Sequence, residues 1–542
     1  MFKALFSLLI LFTPLLLAVP PPPLILFKMR QGFVEQAICS YQAHAKQKGS
    51  HDYALLQQMA LALIQDSSRK ENHDLQLLSL WASAFSMNTN LLHVLAKGLE
   101  KEDPRDILAT LFFLMSFPDD HAVNLIRKEL NSPWLPIQAT AAEFLIQKKE
   151  KGILEIVARW LERLDPRAYP IFVPLFAASE ERFAICWMRK FLHASNVETR
   201  LIALLEIGKR GRDDLLEEVR EAAKTGNLQE KEAAATTLGS LGDSASISLL
   251  KELTHQKEPA IQLAASYSLF LLGQLKAEVL IQDLAIQGNL FAIGLLGQMN
   301  TGIDLLIRLS NSTDFNIKAN ATIALLKAKN SAALPALLSL LHPNLKNMAL
   351  IGITSPGRSL IAWQMKPRIT LKNQLVSIFS KQRLIEEAAT LSEKEFLVFA
   401  KEAILFEDKE TVPALIWTVK NYDKQFLINQ LNRPGAPLAR SWATLALYTM
   451  KEKGPYAEHV YAWFVEMKKL AIVAITPPSL TSDLKSFHLM NKQDSCQLLL
   501  SALDSVAGMR DKEAIDFVLA ALIEGNPLNR PVLASLLLRL SE

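Results

Sequence analysis

The sequence predicts an all-α chain, an α-solenoid (superhelix) of stacked helical hairpins that repeat about every 31 residues. Three observations predict it. Gly is sparse, 20 in 542 residues, while Leu and Ala abound, a balance that favours helix over turn-rich β structure. Gly211, Gly242 and Gly273 recur at spacings of 31 and 31. The segments ahead of them repeat one helical face: Arg200, Ala203 and Ile207, then Lys231, Ala234 and Leu238, then Gln262, Ala265 and Leu269.

Composition excludes other classes. With 50% hydrophobic residues the chain is not disordered, and three Cys are too few for a disulfide scaffold. Cys39, Cys186 and Cys496 are expected to be small core residues, as Ile38 beside Cys39 and Ile185 and Trp187 around Cys186 suggest. The near balance of 59 Lys and Arg against 55 Asp and Glu disfavours a nucleic-acid partner.

Taken in order, Lys3 and the apolar run Ala4 to Ala18 read as a signal peptide over residues 1–18, which predicts a periplasmic or secreted protein. The alternative is an uncleaved membrane anchor, because Leu24 to Phe27 resumes the apolar character beyond Pro20 to Pro23. A Pro-rich linker is expected at 19–30, and an N-terminal helical cap or divergent repeats at 31–99. Regular repeats follow over 100–343, a basic irregular insertion over 344–385, and divergent C-terminal helical repeats with a cap over 386–542. No later segment is apolar and long enough for a transmembrane helix.

Within 100–343 the frame also catches Gln138, Ala141 and Leu145, then Asn289, Ala292 and Leu296, then Lys318, Ala321 and Leu325; a distant copy is Arg440, Ala443 and Leu447. The copy at Tyr169, Phe172 and Phe176 is degenerate and contains Pro170 and Pro174. Second apolar helices are expected between frame helices, among them Phe183 to Leu192, Leu215 to Ala223 and Ile247 to Leu253. Asn196, Asn227, Glu258 and Asp314 occupy one equivalent position three residues ahead of each helix proper, mostly good N-capping types. A hairpin this short buries its faces only by stacking on its neighbours.

The unit running from Glu230 to Asp243, with its cap loop before it and Leu249 to Leu253 behind it, resembles a HEAT repeat of the short kind also found in phycobilisome lyases. The resemblance implies that the frame helix lines the concave surface. It also implies that Arg200 and Lys231 could serve structure, since this position often bonds the cap loop of a neighbouring repeat. Where copies carry Gln instead of a basic residue, an incomplete polar ladder is expected. The family's functions are scaffolds, adaptors and transport receptors, with a few enzymes, so the resemblance implies a non-catalytic scaffold, and a lyase or isomerase of the bilin-lyase kind as the alternative.

From Phe315 to Ile385 there is no Asp or Glu, while ten Lys and Arg occur, including Lys318, Arg358, Lys366 and Arg368. Such a segment fits an anionic partner: an acidic protein or peptide surface, or alternatively an anionic lipid headgroup or another polyanion. A solvated basic face is the structural alternative. A second row, Arg127, Arg189, Arg220 and Lys251, reads as the solvent stripe of the outer helices. No catalytic, cofactor-binding or metal-ligating set is legible, and no cofactor is expected. The expected partner-binding residues are Arg200, Lys231, Lys318, Arg358, Lys366 and Arg368.

Overall fold

A computed structural model describes residues 20–179, 181–342, 381–466, 475–476, 488–489 and 494–542. The described chain is helical apart from a two-residue antiparallel pairing of Ile475–Thr476 with His488–Leu489. It is an all-α solenoid that divides into two compact units, Lys149–Ala446 and Met1–Lys148 with Leu447–Glu542.

In the Lys149–Ala446 unit the frame helices are Val197–Arg210, Leu228–Ser240, Pro259–Leu271, Leu290–Met299 and Phe315–Lys327. Each begins where the sequence supplies a cap, but one residue after it rather than three. The Asn196 side chain accepts from the Glu198 N–H at 3.0 Å, and Asp314 accepts from Asn316 and Ile317 at 2.8 and 3.0 Å. Asn227 and Glu230 form a reciprocal capping box. Glu258 makes no cap bond, and there Pro259 opens the helix, where a missing N–H costs nothing.

Each helix ends in a left-handed turn. Gly211, Gly242 and Gly273 have φ of 66°, 70° and 81°, and the next N–H reaches back five residues, from Arg212 to Ile207, Asp243 to Leu238 and Gln274 to Leu269, at 2.8–3.1 Å. The same turn persists where the sequence has no glycine: Asn300 and Lys329 hold φ of 53° and 54°, with Thr301 and Asn330 bonding Leu296 and Leu325. The glycine signal therefore fades beyond Gly273 while the conformation continues.

Frame helices stack directly on one another, 197–210 on 228–240 on 259–271, and 290–299 on 315–327. Small residues permit this. Ala203, Ala234, Ala265, Ala292 and Ala321 are fully buried. A Cβ on Gly239 would lie 2.7 Å from Ser268 Cα, and one on Gly297 would lie 2.4 Å from the Ala324 carbonyl oxygen. Across these contacts Thr237 Oγ1 donates to Leu204 O and Ser268 Oγ to Ala235 O, both at 2.8 Å, so buried hydroxyls are satisfied by the helix next door. Outer helices fall where expected, including Arg182–Leu192, Leu216–Thr225, Ile247–Leu253, Glu278–Ile286, Ile303–Ser310 and Ala333–Leu341.

The degenerate copy departs from this plan. Its frame helix is split into a 3-10 turn, Pro166–Ile171, and the short helix Val173–Ala177. Phe172 takes the place of the small alanine and is fully buried. Phe176 packs within 5.6–6.3 Å, ring centre to ring centre, of Phe183, Trp187 and Phe191.

In the other unit the C-terminal helix Arg530–Ser541 packs on two N-terminal helices, Tyr53–Ser67 and His73–Ser86. Gln57 Nε2 donates to Ser541 O at 3.0 Å, and the Lys512 ammonium lies 4.2 Å from the Tyr53 ring centre. The sequence placed 31–99 and 386–542 in separate regions, yet residues from both ends form one unit. The buried row of Leu533, Leu536, Leu537 and Leu540 finds its partner some 470 residues away, a pairing that periodicity alone does not encode.

The cysteines correct another expectation. Cys39 and Cys186 are exposed. Their neighbours Ile38 and Trp187 are buried, but adjacent helical residues point about 100° apart, so apolar sequence neighbours do not imply a shared face. The Cys496 side chain, the signal peptide and the acid-free stretch 343–380 lie outside the described residues.

Candidate binding surface

The first frame position carries three of the six predicted site residues, and the structure divides them. Arg200 is engaged in structure: its Nε bonds Glu230 Oε1 of the next repeat, and its Nη1 donates to the carbonyls of Ala194 and Ser195 in its own cap loop. Glu230 is the residue that closes the Asn227 capping box, accepting the Asn227 N–H at 2.8 Å. One carboxylate thus holds a helix start and receives the preceding repeat's arginine. Such a guanidinium cannot be spent on a partner without loosening two repeats.

The Gln copies do the same work by a simpler route. Gln138 Nε2 donates to Ser132 O at 2.6 Å and Gln262 Nε2 to Gln256 O at 2.7 Å, each reaching six residues upstream as Arg200 does to Ala194. The expectation of an incomplete ladder is therefore corrected: an amide N–H satisfies the cap-loop carbonyl as well as a guanidinium. Lys231 and Lys318 are the exceptions. Both side chains are half-buried and neither has a hydrogen-bond or ion-pair partner among the described residues. Arg358, Lys366 and Arg368 lie outside the described residues.

The outer arginine row is more than a solvent stripe. Arg189 Nε bonds Glu218 Oε1 at 2.7 Å, reaching the next repeat. Arg220 grips Asp243 with two bonds of 2.9 and 2.7 Å, and the carboxylate of Asp243 is 4% exposed. The bond from Arg220 holds the Asp243 carboxyl below the usual carboxylate range, assisted by Ser246. Buried Arg212 pairs with Asp214 at 2.8 and 2.7 Å and donates to the carbonyls of Ala177 and Ser179, fastening the regular stack to the aromatic copy. Its guanidinium likewise depresses Asp214. In the acid-free run Lys381 meets Asp408 from beyond the run at 2.8 Å. Periodicity finds the rows but not the acceptors, which for Arg189, Arg220 and Lys381 sit 23 to 29 residues ahead.

One surface feature escaped the sequence reading. Leu271, Leu275, Val279 and Ile286 are 47–66% exposed. Thirty-one residues earlier the same positions hold Ser240, Ser244, Ser248 and His255. A repeat-against-repeat comparison of exposed positions would have revealed it.

Among the described residues, no group of three or more His, Cys, Asp or Glu is placed to hold a metal ion, and no helix is long and apolar enough to cross a membrane. Residues 187–269 match the family model for HEAT repeats. These are the repeats in which frame helices stack through Ala203, Ala234 and Ala265, so profile and geometry meet on one segment. The chain thus carries HEAT repeats within an all-α solenoid, a helical repeat scaffold of the kind that typically serves protein interactions. No curated protein matches the chain.

Proposed function

We propose that this protein is an exported, non-catalytic scaffold that binds a protein or peptide partner through its frame helices and its basic segment. The observation that carries the reading is the polar accounting of the frame position. Arg200, Gln138 and Gln262 are consumed by cap loops, whereas Lys231 and Lys318 present amines with no partner among the described residues at equivalent places on the same row of helices. A half-buried ammonium with no internal partner gains from an acidic group that arrives from outside. Arg358, Lys366 and Arg368 join this site on sequence grounds, as the basic continuation of the run that begins with Lys318. Export rests on the run Ala4 to Ala18, and is checked by N-terminal sequencing of the mature protein, with Val19 expected first.

The binding test is affinity co-purification from the native cells at low and high salt. Wild type is compared with Lys231→Glu/Lys318→Glu and with Arg358→Glu/Lys366→Glu/Arg368→Glu. A specific protein recovered by wild type and lost by either variant, with melting unchanged, supports the reading. Equal recovery from all three removes these residues from the site. Recovery of no protein, with sedimentation on anionic vesicles, replaces the scaffold by a lipid-bound envelope protein.

A further inference from the structure

The helices Ala333–Leu341 and Glu393–Ala403 belong to the Lys149–Ala446 unit and enclose a cleft of about 730 Å³. Its walls are apolar: Leu334, Pro335 and Leu338 on one side face Val398 and Phe399 on the other. Val398 is 56% exposed, although it stands on a helix whose Phe396, Phe399 and Ala400 are buried. Of the three charged groups that line the cleft, Lys394, Glu395 and Glu402, two are acidic. Glu395 and Glu402 lie seven residues apart on one helix, two turns or about 10.5 Å, with Val398 between them. Glu395 accepts one bond from Ser331 Oγ at 2.8 Å, and Glu402 has no partner among the described residues. Lys394 is the one cation among the described lining residues.

We propose that this cleft is a docking groove for a helical segment of a protein partner, one that carries an apolar stripe flanked by Lys or Arg. Charge and spacing select that occupant. The volume is enough for several apolar side chains, and an amphipathic helix delivers them at i, i+3, i+4 and i+7. Two basic residues on such a helix, one or two turns apart, meet Glu395 and Glu402 while the residues between them cover Val398 and Leu338. An acidic helix would bring like charges to the same rim. The inference rests on the scaffold reading but uses the opposite charge, so the protein would hold an acidic ligand element at Lys231 and Lys318 and a basic one here.

The test pans a displayed library of random 16-residue peptides on the full chain, then measures the enriched peptides by fluorescence anisotropy on wild type, Glu402→Lys, Glu395→Lys/Glu402→Lys and Lys231→Glu/Lys318→Glu. Glu402→Lys leaves the Ser331 bond to Glu395 intact, and circular dichroism verifies that each variant is folded. Enriched peptides are expected to be amphipathic and basic, to bind Glu402→Lys about tenfold more weakly and the double Lys variant more weakly still, and to bind Lys231→Glu/Lys318→Glu as wild type. The proposal is overturned by enrichment without basic bias, by binding indifferent to both Glu variants, or by no enrichment. It is equally overturned by a dimer, seen in sedimentation equilibrium, that Glu402→Lys dissociates, since a second copy would then fill the groove. If the groove test fails while co-purification still depends on Lys231 and Lys318, the scaffold reading stands without this groove.

Discussion

The regular repeats from Val197 to Met299 and the aromatic copy from Pro166 to Leu192 solve one stacking problem with opposite materials. In the regular repeats Gly239, Gly297 and the fully buried alanines let backbones touch, and hydroxyls such as Thr237 close the remaining polar gaps. In the aromatic copy Phe172 occupies the alanine position, so a straight helix would not fit against its neighbour. Pro170 and Pro174 break that helix, and rings fill the widened space. The difference teaches that the frame specifies a volume rather than a residue. A bulky insertion is accommodated where the backbone yields and is harmful where it does not.

That contrast is breakable by experiment. The largest effect is expected from Phe176→Ala, which empties a fully buried site against three rings and should destabilise the unit by about 3–5 kcal/mol. Gly297→Ala does the reverse, forcing a methyl against the Ala324 backbone, and should cost about 1–3 kcal/mol. Thermal unfolding of both variants checks the pair. If Gly297→Ala is neutral, the helices do not approach as closely as described.

The Arg–Asp pairs of the stack make the comparison sensitive to pH. Asp243 and Asp214 have folded pKa values below their unfolded ones, because Arg220 and Arg212 favour the charged form. Their stabilisation is therefore complete above about pH 4, the unfolded carboxylate value, and is lost as pH falls through the lower folded values. Asp243→Asn should lower the melting temperature at pH 7 and shrink its deficit relative to wild type on acidification. A constant deficit would show that the pair is not what acid removes. The smallest effect concerns the helix ends: Lys329 holds φ of 54°, a conformation costly for a residue with a Cβ, so Lys329→Gly should stabilise by about 1 kcal/mol.

Much of this architecture was legible in the sequence. The helix of each hairpin, the caps at Asn196, Asn227 and Asp314, and the turns at Gly211, Gly242 and Gly273 follow from local chemistry that a 31-residue frame repeats. What was not legible is non-local. The docking of Arg530–Ser541 on the N-terminal helices, the Arg220–Asp243 grip and the exposure of Cys186 depend on which face meets which neighbour, and a period does not state that. The candidate site was half legible. The frame picked out Arg200, Lys231 and Lys318 alike, and only the position of Glu230 and of the cap-loop carbonyls separates the first from the other two.

The proposed site sets Lys231 and Lys318, which have no partner among the described residues, apart from Arg200, which Glu230 and its own cap loop hold. The most direct measurement is co-purification with wild type and Lys231→Glu/Lys318→Glu, paired with melting of both proteins and of Arg200→Ala. The double variant is expected to melt as wild type and to lose the partner, whereas Arg200→Ala is expected to melt lower. A double variant that keeps its partner, or an Arg200→Ala protein that melts as wild type, would contradict this division.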